Sequence, residues 1–144
     1  MLKTASLIGF LVLVLVLVSL ILRGAILGDG IFPAAIQVLS VLLMIWARVT
    51  FGRRSFHAAA NPTEGGLVTT GPYRFLRHPI YASILYFLWA AVLSHISITN
   101  IFLGVIGSCG AAVRIYAEEK FLRVQYPEYS GYSAKTKRIV PYLF

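Results

Sequence analysis

Nineteen consecutive uncharged residues lie between Lys3 and Arg23, and most of them are Leu or Val. A hydrocarbon core of about 30 Å is crossed by about 20 residues of α-helix. The alternation of Leu and Val has the period of a β-strand. A single strand is nevertheless disfavoured, because it would leave its backbone polar groups unsatisfied in lipid. The hydrophobic region of a signal peptide is usually only about 7 to 15 residues long. The run therefore predicts a retained transmembrane helix over residues 4–22.

Three further apolar segments follow, at residues 30–47, 79–94 and 98–117. The last two are separated by a cluster of Ser, His, Thr and Asn residues at positions 94–100. This cluster predicts a tight turn between two helices, because the combined segment is too long for one crossing.

Composition agrees with a membrane protein. Hydrophobic residues make up 58% of the chain and charged residues 12%, against about 25% charged residues in a soluble domain. A soluble globule and a disordered chain are therefore excluded. We predict an all-α polytopic membrane protein, a single domain over residues 1–144 with about four transmembrane helices and a cytoplasmic C-terminal segment.

Basic residues are unequally distributed in this arrangement. The chain has 13 Lys and Arg residues against 5 Asp and Glu residues, a net charge of +8. With four spans, 12 of the basic residues fall on one side of the membrane and only Arg23 on the other. Cytoplasmic loops carry the excess of Lys and Arg, so both termini and segment 48–78 are predicted to be cytoplasmic, in a bacterial inner membrane. Topology and attraction to anionic lipid headgroups account for the charge, and no nucleic-acid partner is predicted.

Two polar stretches border the apolar helices on the predicted cytoplasmic side, at residues 65–83 and 114–132. In the first, His78 directly precedes a proline, a residue that suits the first turn of a helix. In the second, Arg114 and Glu118 are four residues apart and share a helix face. From spacing alone these side chains either bind a charged ligand or contact only lipid phosphates and each other, and both interpretations stay open.

Three motifs distinguish the second half of the chain: LVTTGPYRFLRHPIY from residue 67, RIYAEEKFL from residue 114, and the tail YPEYSGYSAKTKRIVPYLF from residue 126. With these motifs the chain resembles the isoprenylcysteine carboxyl methyltransferase family, within the broader group of membrane methyltransferases that includes phospholipid N-methyltransferases. Ser83 departs from the pattern, since many relatives have Gly there. The chain also lacks the additional spans of larger relatives.

The resemblance implies an all-helical enzyme that transfers a methyl group from S-adenosylmethionine to a lipophilic substrate, above all to the carboxyl oxygen of an isoprenylcysteine-like acid. The cofactor would enter from the cytoplasm and the substrate laterally from the membrane. Segments 65–83 and 114–142 would together form the cofactor site. Arg114 matches the residue that faces the methyl acceptor and is the candidate catalytic residue. The positions that match the family's cofactor-binding residues are Leu67, Val68, Tyr73, His78, Pro79, Ile80, Tyr81 and Glu118.

Methyl transfer to a carboxylate needs alignment and a dry pocket rather than a covalent intermediate. Arg114 can hold that carboxylate by a charge-assisted contact. A protonated amine acceptor would need a base, for which His78 and Glu119 are the nearby candidates. We expect His78 and Glu118 to line one cytosol-facing cavity at the end of the last two spans.

Three other functions stay open at this point. They are a phospholipid N-methyltransferase, a nicotinamide-dependent membrane reductase, since some sterol reductases share a related C-terminal pattern, and a non-catalytic adaptor whose basic segments bind lipids or a partner. No metal site is predicted, because His57, His78 and His95 are dispersed. The expected partners are a lipophilic small-molecule substrate and membrane lipids, with no prediction of oligomeric state.

Overall fold

The computed structural model describes residues 1–52 and 66–141. No strand occurs within these ranges, where an isolated bridge joins Leu76 and Lys137. The helices of the described ranges are α1 (Leu2–Leu22), α2 (Ile31–Phe51), a short 3-10 helix (Gly71–Arg74), α3 (Pro79–Ser94), α4 (Ile98–Gln125) and α5 (Tyr129–Lys135).

Some features of the sequence lie outside the described residues. Arg53 and Arg54, two of the predicted cytoplasmic charges, are among them, as is His57, one of the three histidines. Residues 65 and 142, the outer limits of the two predicted site segments, also lie outside.

Helices α1, α2 and α4 are long and apolar enough to cross a membrane, and α3 is a shorter apolar helix of 16 residues. The protein is therefore an integral membrane protein, and the prediction of an all-α fold with about four membrane helices is confirmed. α4 has 28 residues. At about 42 Å it is longer than a hydrocarbon core of about 30 Å. Its polar last turns, beyond residue 117, therefore extend past such a core.

Two helix pairs build the bundle, α1 with α4 and α2 with α3. The buried residues of α1 recur every three or four positions, which places them on one helix face. Aliphatic side chains of α1 and α3 form the centre of the core between the pairs. The buried face of α1 consists of Ser6, Gly9, Leu13, Val16 and Leu20.

Polar contacts tie together the connections at one end of the bundle. Ser97 caps α4, because its Oγ accepts a hydrogen bond from the Asn100 N–H at 3.1 Å. The Arg23 Nε donates to the Asn100 Oδ1 at 2.9 Å. Gln37, buried within α2, accepts from the Gly28 N–H at 2.9 Å. These contacts pair polar groups that are costly to leave unpaired in lipid.

The C-terminal segment folds back against the opposite end of the bundle. The Arg77 N–H donates to the Lys137 carbonyl at 2.6 Å, and the His78 N–H donates to the Arg138 carbonyl at 3.0 Å. The segment after α5 therefore runs beside the residues that precede α3. This backbone pairing brings the tail to the last turns of α4, where the candidate site lies.

Candidate active site

His78 occupies the position before the first residue of α3. Its backbone is not helical, and Pro79 follows as the first helical residue, as expected because a residue before proline is biased away from helical angles. The buried imidazole points at α4. Its Nδ1 lies 3.7 Å from the Glu118 Oε2, and its Nε2 lies 3.4 Å from the Glu119 Oε1. One imidazole therefore lies between two carboxylates that are neighbours in sequence.

Glu118 belongs to a chain of polar contacts that links α3 and α4. The Tyr81 hydroxyl donates to the Glu118 Oε1, and the Arg114 Nε donates to the Tyr81 hydroxyl oxygen at 2.7 Å. The Arg114 Nη2 lies 3.6 Å from the same carboxylate oxygen. The Glu118 side chain is 26% exposed and that of Arg114 is 5% exposed. The predicted pairing of Arg114 with Glu118 on one helix face is thus present, and Tyr81 of the first motif contacts both side chains.

Glu119 has a different set of partners. The Arg77 Nη1 donates to its Oε1 at 2.9 Å. The Arg138 Nε donates to the same oxygen at 3.2 Å, and its Nη2 donates to Oε2 at 3.3 Å. The Glu119 side chain is only 8% exposed. This carboxylate therefore joins α4 to the start of α3 and to the C-terminal segment.

Tyr73 lies beside the cluster, in the 3-10 helix. It is buried, and its ring packs against Phe51 at the end of α2 with centroids 5.4 Å apart. The Tyr132 hydroxyl donates to the Tyr73 carbonyl at 2.7 Å. Burial, followed by the negative charge of Glu118, raises the pKa of the Tyr73 phenol above its ordinary value. Tyr73 is therefore held as a neutral hydroxyl close to the Glu118 carboxylate.

Gly71 allows the 3-10 helix to approach α2 closely. Its φ is +56°, and a Cβ built there would lie 2.6 Å from the Thr50 Oγ1. Residues other than glycine rarely adopt such a φ. Gly71 thus serves both the turn and the contact that places Tyr73.

The remaining predicted cofactor-binding residues lie in the segment before the 3-10 helix and at the start of α3. Leu67 and Val68 are half-buried in the segment before the 3-10 helix, Pro79 is buried, and Ile80 is half-buried at the start of α3. Ser83, where many relatives have Gly, is 1% exposed and donates from its hydroxyl to the Ile80 carbonyl at 2.7 Å. The helix itself thus satisfies the extra hydroxyl.

Sequence reasoning missed several residues that contact the site. In the sequence Arg77 and Arg138 count only among the 12 basic residues on the predicted cytoplasmic side, yet both bind Glu119. Neither position is at helical spacing from Glu119, so no periodicity could pair them. Ser6 and Phe10 of α1 also contact Arg114, and in the sequence the small residues Ser6 and Gly9, just before the Leu-Val alternation, are the feature that favours a close helix contact there.

An all-α membrane fold with buried ionisable side chains clustered at one end is typical of a membrane-embedded enzyme. Residues 25–129 match the model of a family described as phospholipid methyltransferase, and the chain belongs to that family. It is therefore a membrane methyltransferase, which confirms the predicted enzyme class. The family match argues against the reductase and adaptor alternatives. No curated protein and no solved structure matches the chain significantly.

Proposed function

We propose that the protein transfers a methyl group from S-adenosylmethionine to the carboxylate of a lipophilic, isoprenylcysteine-like acid. The observation that carries this proposal is the connected set of Arg114, Tyr81, Glu118 and His78, which combines a buried cation with a partly exposed carboxylate. The one-sided distribution of basic residues supports a cytoplasmic location for this end of the bundle. The setting proposed for it is a bacterial inner membrane.

The polar groups of the cluster suit a zwitterionic donor. A carboxylate has about four lone-pair positions, so Glu118 can accept from a ligand in addition to Tyr81. S-adenosylmethionine, when bound, supplies the electrophilic methyl group. Glu118 and His78 would bind and orient its polar part, and the Tyr73 ring would contribute an aromatic surface.

The charges of the cluster favour an anionic acceptor. Its charged side chains are three guanidinium groups and two carboxylates, which leaves one positive charge in excess before the imidazole is counted. A buried guanidinium binds a carboxylate strongly, because little water competes for either group. Arg114 would hold the acceptor in line with the methyl group, and the surrounding helices would exclude water. The charged residues in this count are Arg77, Arg114, Glu118, Glu119 and Arg138.

The bundle also offers an apolar surface for the acceptor's hydrocarbon chain. A groove of about 310 Å³ lies among α1, α2 and α3, and almost all of its wall is apolar. Ser83, in the first turns of α3, lines this groove together with residues of α1 and α2, two helices that are long and apolar enough to cross a membrane. The groove supports lateral entry of a lipid-like substrate. Its other walls include Leu17, Ile21, Met44, Ile84 and Phe87.

Methylation of a phospholipid amine is the second candidate, and the family match favours it. An ammonium group must lose a proton before it attacks the methyl group. His78 would be the base, with Glu118 and Glu119 within 4 Å of its two ring nitrogens. The two candidates therefore differ in which side chain matters most, Arg114 for a carboxylate and His78 for an amine.

The test uses purified protein in detergent, methyl-labelled S-adenosylmethionine, and two acceptors in parallel: an S-farnesylated cysteine derivative and phosphatidylethanolamine vesicles. Alkali releases labelled methanol from a methyl ester but leaves an N-methyl group in place. We expect label that alkali releases. We also expect Arg114→Gln to lower kcat/KM for the acceptor by about 10- to 100-fold, the loss of one charged hydrogen bond.

The donor site is tested by binding. Glu118→Gln and His78→Ala should each weaken S-adenosylmethionine affinity by about tenfold. Lys120→Gln, which neutralises an exposed charge in the same helical turn, is the matched control and should bind normally. The absence of saturable binding, or binding equal to wild type in both site variants, contradicts the proposal. Label that resists alkali favours the amine instead.

A further inference from the structure

Helix α1 precedes the part of the chain that matches the family, yet it contacts the candidate catalytic residue. The Arg114 Nη1 donates to the Ser6 carbonyl at 3.2 Å. The Arg114 Cζ lies 5.3 Å from the centre of the Phe10 ring, a distance suited to a cation–π contact. Ser6 and Phe10 are four residues apart and therefore share a face of α1. The first helix is thus more than a hydrophobic anchor.

A glycine contact makes this approach possible. A Cβ built on Gly9 would lie 2.7 Å from the Gly110 carbonyl oxygen and 3.1 Å from the Arg114 Cγ. A Cβ built on Gly110 would lie 3.0 Å from the Gly9 carbonyl oxygen. Backbone atoms cannot move aside as a flexible side chain does, so a methyl group at position 9 must separate the helices or displace the arginine stem. Gly9 therefore sets both the helix spacing and the position of Arg114.

Arg114 is consequently held from two sides. Tyr81 of α3 accepts from its Nε at 2.7 Å, and Ser6 of α1 accepts from its Nη1 at 3.2 Å. A planar guanidinium with two of its nitrogens engaged by different helices has little freedom to rotate. Such restriction matters for a group that must present a substrate oxygen in line with a methyl donor, since small misplacements cost large factors in rate.

We infer that α1 is part of the active site, with Gly9, the Ser6 carbonyl and Phe10 as positioning elements that orient Arg114 toward the acceptor. The inference rests on the proposed function, in which Arg114 binds the acceptor. It gives the first helix a specific task in acceptor alignment, because Ser6, Gly9 and Phe10 all reach the site at Arg114.

Gly9→Ala is the first test, measured with labelled donor and a lipid extract of the host membrane as the acceptor source. We expect kcat to fall by about 10- to 100-fold, while the dissociation constant for S-adenosylmethionine stays at the wild-type value. Gly107→Ala is the matched control, an alanine in the same helix pair whose Cβ would meet the flexible Leu88 Cδ2 at 2.8 Å. The control should keep wild-type kcat. Equal losses in both variants would mean general loss of packing and would overturn the inference.

Phe10→Leu keeps the inference testable if the Gly9→Ala protein does not accumulate in the membrane. This variant should fold, because Phe10 is 37% exposed and Leu preserves an apolar contact. Loss of the ring should lower kcat by about fivefold with unchanged donor binding.

The double variant Gly9→Ala/Arg114→Gln supplies a readout that a structural role would not give. If Gly9 acts through Arg114, the alanine causes no further loss in the Arg114→Gln background, whereas independent effects multiply.

A failed role of α1 and a failed proposed function give different kinetic results. Wild-type kcat in both Gly9→Ala and Phe10→Leu, together with an impaired Arg114→Gln, overturns the role of α1 and leaves the proposed function standing. Wild-type kcat/KM for the acceptor in Arg114→Gln overturns the proposed function itself. Multiplying losses in the double variant also contradict a role for Gly9 through Arg114.

Discussion

Glu118 and Glu119 are adjacent in α4, but their carboxylates bind opposite sides of the cluster. Glu118 contacts Tyr81 and Arg114 and has a side chain that is 26% exposed, whereas Glu119 contacts two arginines and is 8% exposed. Consecutive helical residues project about 100° apart, and His78 lies in the angle between them. The partly exposed carboxylate is the one proposed to bind the donor, whereas the buried one joins α4 to the start of α3 and to the C-terminal segment.

Glu119→Gln should destabilise the protein far more than Glu118→Gln. Removing one partner of a buried ion pair leaves an uncompensated charge, which costs about 3 kcal/mol or more. The buried partner of Glu119 is Arg77, whose side chain is 12% exposed, whereas the Arg138 side chain is 40% exposed and contributes less. The measurement is the free energy of unfolding in detergent for both variants. Equal stability of the two variants would contradict the division of roles.

Gly71→Ala should lower stability and weaken donor binding together. A non-glycine residue in the left-handed region costs about 1 kcal/mol or more, and the new methyl group would collide with Thr50. Relief of the collision must displace the 3-10 helix that carries Tyr73. Thr50→Ala in the same chain should restore part of the donor affinity by removing the collision, although the φ strain remains. Donor titration of the single and double variants decides this, and a double variant no better than Gly71→Ala would contradict it.

Ser97→Ala should lower stability without affecting catalysis. The Ser97 hydroxyl oxygen accepts from the Asn100 N–H at the start of α4, and loss of such a cap costs about 1 kcal/mol. The cap lies at the opposite end of α4 from the paired glutamates. We expect a lower unfolding temperature with unchanged kcat and donor affinity. A change in donor affinity would show that the two ends of the bundle are coupled.

Stability should fall at alkaline pH because of buried phenols outside the spans. Burial raises the pKa of both Tyr73 and Tyr132 above the ordinary value. The neutral forms therefore stabilise the fold fully below pH about 10, and this contribution is lost as the pH rises toward the folded-state pKa. Unfolding measured from neutral to strongly alkaline pH should show this slope. Tyr132→Phe should make the slope shallower, and an unchanged slope would show that Tyr132 does not contribute.

Much of the fold could be predicted because lipid imposes a simple requirement on the sequence. A segment that must satisfy its own backbone in hydrocarbon has to be helical, so uninterrupted apolar runs identify helices without any knowledge of their neighbours. The His-Pro pair likewise marks the start of α3 by a local steric rule. The pairing of Arg114 with Glu118 is equally local, since it follows from one turn of helix.

The rest of the site depends on contacts between residues distant in sequence. Glu119 meets Arg138 because the tail pairs with the backbone before α3. Local sequence contains no information on that pairing, which arises only once the tail has folded back. The apolar character of α1 showed that it lies in lipid, but not which helix it contacts.

The sequence alone therefore determined the membrane helices, the class of reaction suggested by its motifs, and the side chains that carry charge near the ends of the spans. Tertiary structure decided which of those charges meet: it placed His78 between two glutamates, separated the environments of Glu118 and Glu119, and brought Ser6 and Phe10 to Arg114. The physical reason is the difference between interactions within one segment and interactions between distant segments. Helix formation in lipid depends on each segment's own composition, whereas the strength of a charged contact depends on burial and distance, which exist only after the helices have packed.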